Sequence, residues 1–198
     1  RLPKLNYYVD SPLSIKATNI IKAHPECFNP AVQKMLKLDE DVFDFKGLHF
    51  IETAQESMAL NDSKDPCVII SASGMAEAGR VKHHILHNVE NSRSTILIVG
   101  YCEPQSLGAR LMSGNSEVSI FGKKFMVNAE VGVIKSMSAH GDYDDMSQWL
   151  SCQNINEVEK VFLVHGEYDV QQNFKAKLIR KGFRDVDIPS QHQEIGIG

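Results

Sequence analysis

The chain of 198 residues is 42% hydrophobic and 23% charged, with a net charge of −4 and a pI near 6.1. That composition supports a packed core without disulfide or metal staples. The acidic balance excludes a protein that coats nucleic acid through bulk positive charge, though not a local basic groove or a metal site that grips phosphate.

Residues 5–9 (LNYYV) read as a strand. DSPLSIKATNIIKAH follows as a helix, with Asp10 or Ser11 as N-cap and Pro12 in its first turn. PAVQKMLKL (30–38) reads as a second helix, LHFIE (48–52) as a short strand and TAQESMALN (53–61) as a short helix. CVIIS (67–71) is a strand that runs through SASGM into the helix EAGRVKHHILHNV. STILIVG (94–100) is the next strand, and LGARLMSG a short helix ending at Gly114. Residues 116–137 suit two or three strands, with FGKK as a hairpin turn. A helix over 144–152, a strand over 160–164, a helix over 168–182 and a strand over 184–189 complete the chain. This alternation predicts an α/β fold, a parallel sheet with a mixed edge and helices on both faces. The apolar strand runs suit a sheet buried on both sides. Ligands of such sheets sit beyond the carboxyl ends of the strands.

Four cysteines, Cys27, Cys67, Cys102 and Cys152, are scattered with no CxxC spacing, as in a reduced, cytoplasmic protein. No apolar run approaches the length that spans a bilayer. The chain opens on Arg1, as a segment of a longer polypeptide would.

Three strand ends carry candidate chemistry. After 67–71, Ser71, Ser73 and Gly74 stand just before a helix, where small residues and unpaired N–H groups can cradle an anion; the plainer alternative is a tight, capped turn. The other two ends are a phrase written twice, HGDYD at 140–144 and HGEYD at 165–169. Its glycine and acids suit a turn and a helix cap used twice. Capping does not need His140 and His165, and two imidazoles at the ligand edge of a sheet suggest catalysis or metal binding. His83 and His87, four apart on one helix, have a spacing that can chelate zinc but lack the glutamate of HExxH. Arg80 and Lys82 could assist with phosphate. Trp149 and Phe174 fall in helical patterns as core residues.

Taken in order, SASGMAEAGRVKHHI, ILIVGYCEPQSLGARLM, SAHGDYDDM and LVHGEYD resemble the β-CASP family, the nucleic-acid-processing branch of the metallo-β-lactamase superfamily; YYVDSPLSIKAT resembles a segment inside its β-CASP domain. The resemblance covers nearly the whole chain. It implies that residues 1–137 belong to the β-CASP domain and 138–198 to the returning C-terminal part of the metallo-β-lactamase domain. It implies that His140 occupies motif B, beside the scissile phosphate, and that His165 occupies motif C and ligates zinc. Ser71, Ser73 and Gly74 would face the nucleic-acid backbone across the cleft. RNA is the implied substrate, since DNA-specific members lack a motif C histidine. The parent implied is a two-zinc ribonuclease with no membrane association, and a homodimer is compatible with it. HxHxDH and the acidic motif A are missing from these residues, so the chain reads as an inactive fragment on its own. The rival readings are a non-catalytic β-CASP module that docks RNA or a partner, and a flavodoxin-like small-molecule binder.

Overall fold

In the computed structural model, residues 4–38, 41–137 and 141–196 are described. The chain divides into two compact units, Arg1–Ser138 and Ala139–Gly198. The α/β class expected from the sequence holds, with the strands distributed over separate small sheets.

In the first unit, β1 (Asn6–Asp10) is the centre of a three-stranded parallel sheet, flanked by β2 (Leu48–Phe50) and β3 (Cys67–Ser71). The register sets Tyr7 opposite Leu48 and Asp10 opposite Ser71. Strand β1 runs directly into α1 (Pro12–Ala23), and Ser11 is the cap, its hydroxyl accepting from the Ser14 N–H at 3.3 Å. A 3-10 turn (Pro25–Cys27) and α2 (Pro30–Met35), capped by Asn29, lead toward β2. Helix α3 (Ala54–Asp62) opens with a reciprocal capping box between Thr53 and Glu56. Helix α4 spans Arg80–Asn88.

Strand β4 (Thr95–Val99) pairs in parallel with β7 (Glu130–Ile134). Between them come α5 (Leu107–Met112) and a hairpin of β5 (Glu117–Ile120) and β6 (Lys123–Met126). Phe121 and Gly122 form its two-residue turn with φ of 50° and 77°, the paired left-handed geometry that matches strand twist.

The core of this unit is built from Ile85 and Val89 of α4 and its C-cap, Leu107 and Leu111 of α5, Ile96 and Ile98 of β4, and Val118 and Ile120 of β5. Each contributes about 1.5–3 kcal/mol by burial. Val81, Ile85 and Val89 recur every fourth residue, which turns one face of α4 inward. The strands expected to be buried on both sides alternate instead: β4 buries Ile96 and Ile98 while Leu97 and Val99 stay exposed, and Ile70 of β3 is exposed too.

In the second unit, β8 (Val161–Phe162) pairs in parallel with β9 (Val186–Asp187) beside α6 (Tyr143–Leu150) and α7 (Tyr168–Arg180). Leu178, Phe183 and Val186 are its buried centre, with Leu150 and Val161 packed around them. Tyr143 meets Phe174 edge-on at 5.5 Å, and the Lys177 ammonium lies 3.5 Å from the Tyr143 ring centroid. Phe174 packs against the core as expected, but Trp149 does not, being 70% exposed. Positions 143, 147 and 150 form the inward stripe of α6, and 149 lies off it. Val164 and Val170 are exposed as well, so this unit presents an apolar surface.

Among the described residues no helix is long and apolar enough to cross a membrane.

Candidate functional site

The loop from Ser71 to Arg80 leaves β3 at the carboxyl edge of the β1–β3 sheet. The helix expected to begin at Glu77 begins at Arg80, because Gly79 at φ 78°, ψ −173° is outside helical space. Ser73 and Gly74 therefore stand on an exposed turn some residues ahead of the helix, rather than on its first N–H groups. The turn is held from inside. Ala76 N–H donates to Ser73 O at 3.0 Å, Gly108 N–H to Met75 O at 2.9 Å, and the Cys102 thiol reaches Gly74 O at 3.4 Å. Glu77 accepts from the Leu107 N–H, from Arg110 at 3.2 Å and from Lys82 at 3.2 Å. Lys82 is thereby committed to a carboxylate rather than offered to a ligand.

Two glycines of this loop differ in kind. A Cβ on Gly79 would lie 2.6 Å from the Ala72 carbonyl oxygen, so only glycine fits there. A Cβ on Gly74 would meet nothing within 4 Å, and its φ is not left-handed. Nothing in the fold itself demands glycine at 74.

The root of the loop is a buried charged network whose centre is Asp10. Its side chain is 0% exposed. Arg80 Nη1 donates to Oδ1 at 2.6 Å, while the Ser57 hydroxyl and His84 Nε2 meet Oδ2 at 2.5 and 2.6 Å. Arg80 also donates to the carbonyls of Ile51 (3.1 Å) and Glu52 (2.9 Å), and His84 Nδ1 lies 2.7 Å from Asn61 Oδ1. Burial alone would raise the Asp10 pKa. The hydrogen bonds from Ser57, His84 and Arg80, with the Arg80 charge, outweigh burial and hold it below the ordinary carboxylate value. Ser71 spends its hydroxyl on the Asp10 carbonyl at 2.8 Å. Asp10 and His84 escape a reading of motifs alone. The available signal is a histidine at 84 beside the inward stripe Val81–Ile85–Val89, where a polar residue needs a buried partner.

Among the described residues, His83 and His87 gather no third ligand. His83 instead packs against Phe121 at a tilt of 36°, with centroids 4.9 Å apart.

In the second unit, His165 follows β8 at φ 70° and Gly166 follows at φ 107°. A histidine in left-handed backbone costs about 1–2 kcal/mol. Gln171 of α7 offsets it by donating to His165 O at 3.2 Å and Leu163 O at 3.3 Å. The two repeated phrases do not cap alike. Asp142 caps α6 through the Asp144 and Asp145 N–H groups (2.8 and 2.9 Å) in a capping box with Asp145. Glu167 makes no side-chain bond to the first turn of α7. His140 lies outside the described residues.

A catalytic zinc needs about three protein ligands. Among the described residues no group of three His, Cys, Asp or Glu side chains could hold a metal ion, so these residues do not by themselves fit one.

The first unit is an α/β fold with a built loop at the carboxyl edge of its sheet, and the second carries a histidine in left-handed backbone; the class follows from likeness to known proteins. Residues 1–111 match the Beta-Casp domain, and residues 124–189 match the Zn-dependent metallo-hydrolase RNA specificity domain. The chain belongs to the β-CASP family. It is 30% identical over 167 residues to a ribonuclease of Thermus thermophilus, covering 84% of this chain and 38% of that protein. It is 30% identical over 167 residues to an RNase J-like protein of Methanocaldococcus jannaschii, covering 84% and 37%. Against the cleavage and polyadenylation specificity factor 73 of Drosophila melanogaster it is 24% identical over 186 residues, covering 91% and 25%. The chain thus spans under two-fifths of the length of these relatives.

Proposed function

We propose that this chain forms the β-CASP portion (1–137) and the returning C-terminal portion (138–198) of a zinc-dependent metallo-hydrolase that cleaves RNA phosphodiester bonds. The observation that carries this reading is the match of residues 124–189 to a Zn-dependent metallo-hydrolase RNA specificity domain, in a chain that also matches the Beta-Casp domain. The exposed Ser73 hydroxyl donates to a non-bridging phosphate oxygen, and Gly74 lets the RNA backbone come close. Ser71 anchors the loop that presents them. His165 is a ligand of one of two zinc ions, whose other ligands the described residues do not supply. His140 protonates the leaving oxygen or steadies its charge, work suited to an imidazole near neutrality. The cytoplasm is the proposed setting, supported by four free cysteines. The exposed Trp149, Val164 and Val170 supply an apolar surface for a second copy.

The test is hydrolysis of a labelled RNA by the whole polypeptide in zinc-containing buffer. Cleavage lost on chelation and in His165→Ala and His140→Ala supports the reading. RNA binding without cleavage in the whole protein points instead to a non-catalytic docking module, and neither binding nor cleavage overturns both.

A further inference from the structure

The Ser71–Arg80 loop hangs at both ends on one residue. At its start the Ser71 hydroxyl donates to the Asp10 carbonyl at 2.8 Å, and at its end Arg80 donates to the Asp10 carboxylate at 2.6 Å. We propose that Asp10, Arg80 and His84 are positioning residues for RNA: they clamp both ends of this loop and so fix the turn that carries Ser73 and Gly74 in its binding conformation. The proposal rests on the reading of Ser73 and Gly74 as the pair that meets the RNA backbone.

The chemistry of the clamp favours geometry over stability. Burying charge is costly, and apolar residues of similar volume commonly serve stability as well or better. A carboxylate with no exposure is kept here, and three donors from two helices are spent on it: Ser57 from α3, and Arg80 and His84 from α4. The Arg80 fork ties that carboxylate to the Ile51 and Glu52 carbonyls after β2. Such a directional joint, one guanidinium shared among a carboxylate and two carbonyls, permits one loop position, where apolar packing would permit several. His84 completes it by bridging Asp10 and Asn61, which holds α3 against α4. Asp10 and Arg80 line one shallow pocket together with Ser73. The Asp10 side chain has no exposure, and the Arg80 fork is spent on Asp10, Ile51 and Glu52, so they act through the loop.

Arg80→Lys keeps a cation against Asp10 and removes the fork. His84→Ala deletes the bridge, and His84→Gln restores a donor at similar reach. The whole polypeptide and these variants of it are compared by hydrogen exchange across 72–79, by melting temperature, and by anisotropy with a fluorescein-labelled single-stranded oligouridylate at fixed salt. Arg80→Lys and His84→Ala should each speed exchange in 72–79 and weaken RNA binding about tenfold. Exchange at the Ile96 and Leu111 amides should stay at wild-type rates, and His84→Gln should recover most of the affinity. RNA affinity that survives both Arg80→Lys and His84→Ala overturns the clamp and leaves the RNA reading standing. Affinity lost together with core protection makes the network a plain stabiliser and also overturns it. A wild-type whole polypeptide with no RNA affinity overturns the RNA reading first, and the proposal with it.

Discussion

Placing one methyl group at each of two glycines of a single loop separates what the fold requires from what a ligand requires. In Gly79→Ala the new Cβ would sit 2.6 Å from the Ala72 carbonyl oxygen, a backbone atom that no rotamer change can move aside. The residue is also held at φ 78°, ψ −173°, a region essentially reserved for glycine, at about 1–3 kcal/mol for any other residue. Relief requires the loop to shift, which strains the Val81 N–H to Ala72 O and Ser73 N–H to Ala78 O bonds, both already 3.4 Å long. Together these cost about 2–4 kcal/mol. For a chain of this size that lowers the melting temperature by about 5–15 °C. In Gly74→Ala the methyl enters open space at an ordinary φ, so stability should change by less than about 1 kcal/mol, and toward the folded state. If Gly74 exists to let an RNA backbone approach, the same substitution should weaken oligouridylate binding about tenfold at an unchanged melting temperature. Thermal unfolding by circular dichroism and RNA anisotropy on both variants decide the matter. The reasoning fails if Gly79→Ala melts with the wild type. It fails equally if Gly74→Ala is as destabilising as Gly79→Ala.

Asp10→Asn removes the charge that half-buried Arg80 and buried His84 are paired with, and urea unfolding at pH 6 should show a loss of about 3 kcal/mol or more. The folded-state pKa of Asp10 lies below its unfolded value of about 3.9, so its contribution is full above that value and is lost as pH falls through the depressed one. Between pH 5 and pH 2 the wild type should therefore lose more stability than Asp10→Asn, and parallel pH profiles would contradict this. Leu107→Ala, at a fully buried side chain, should cost about 2–5 kcal/mol by urea unfolding. Asp142→Ala removes the acceptor for two N–H groups of α6 and should cost about 1 kcal/mol, whereas Glu167→Ala should cost less, having no such bond.

Where a pattern depends on neighbours in the chain, the sequence conveys it well. The Thr53–Glu56 capping box, the Pro12 start of α1 and the Phe121–Gly122 turn need only a few adjacent residues, and each forms where the local signals place it. Boundaries drifted where distant atoms intervene. Nothing next to Glu77 announces that its carboxylate bonds the Leu107 N–H and Arg110 thirty or more residues away, nor that Gly79 folds against Ala72. The same limit hid the clamp. Asp10 reads as one of two possible helix caps, but Ser11 takes that work, which frees Asp10 to meet groups 47, 70 and 74 positions away. His84 was overshadowed by His83 and His87, whose spacing suggests a metal, whereas its own place beside an apolar stripe is what makes it buried.

The doubled phrase shows how far a nearly identical string can diverge in its physical work. HGDYD and HGEYD differ by one methylene, yet Asp142 closes a capping box and Glu167 does not. The shorter side chain reaches the N–H groups two and three residues on, and the longer one overshoots them. What holds the second phrase in shape is external, the Gln171 amide bonded to the carbonyls of Leu163 and His165. Left-handed backbone at His165 is therefore supported from α7. Strain kept in place by a neighbouring helix is a cost without structural return unless the imidazole must point in one direction. Gln171→Ala tests this directly. If His165 ligates zinc as proposed and the amide holds it in place, the variant of the whole polypeptide should lose metal affinity by about tenfold while α7 stays folded by circular dichroism. An unchanged affinity would make the strain at His165 incidental to any metal.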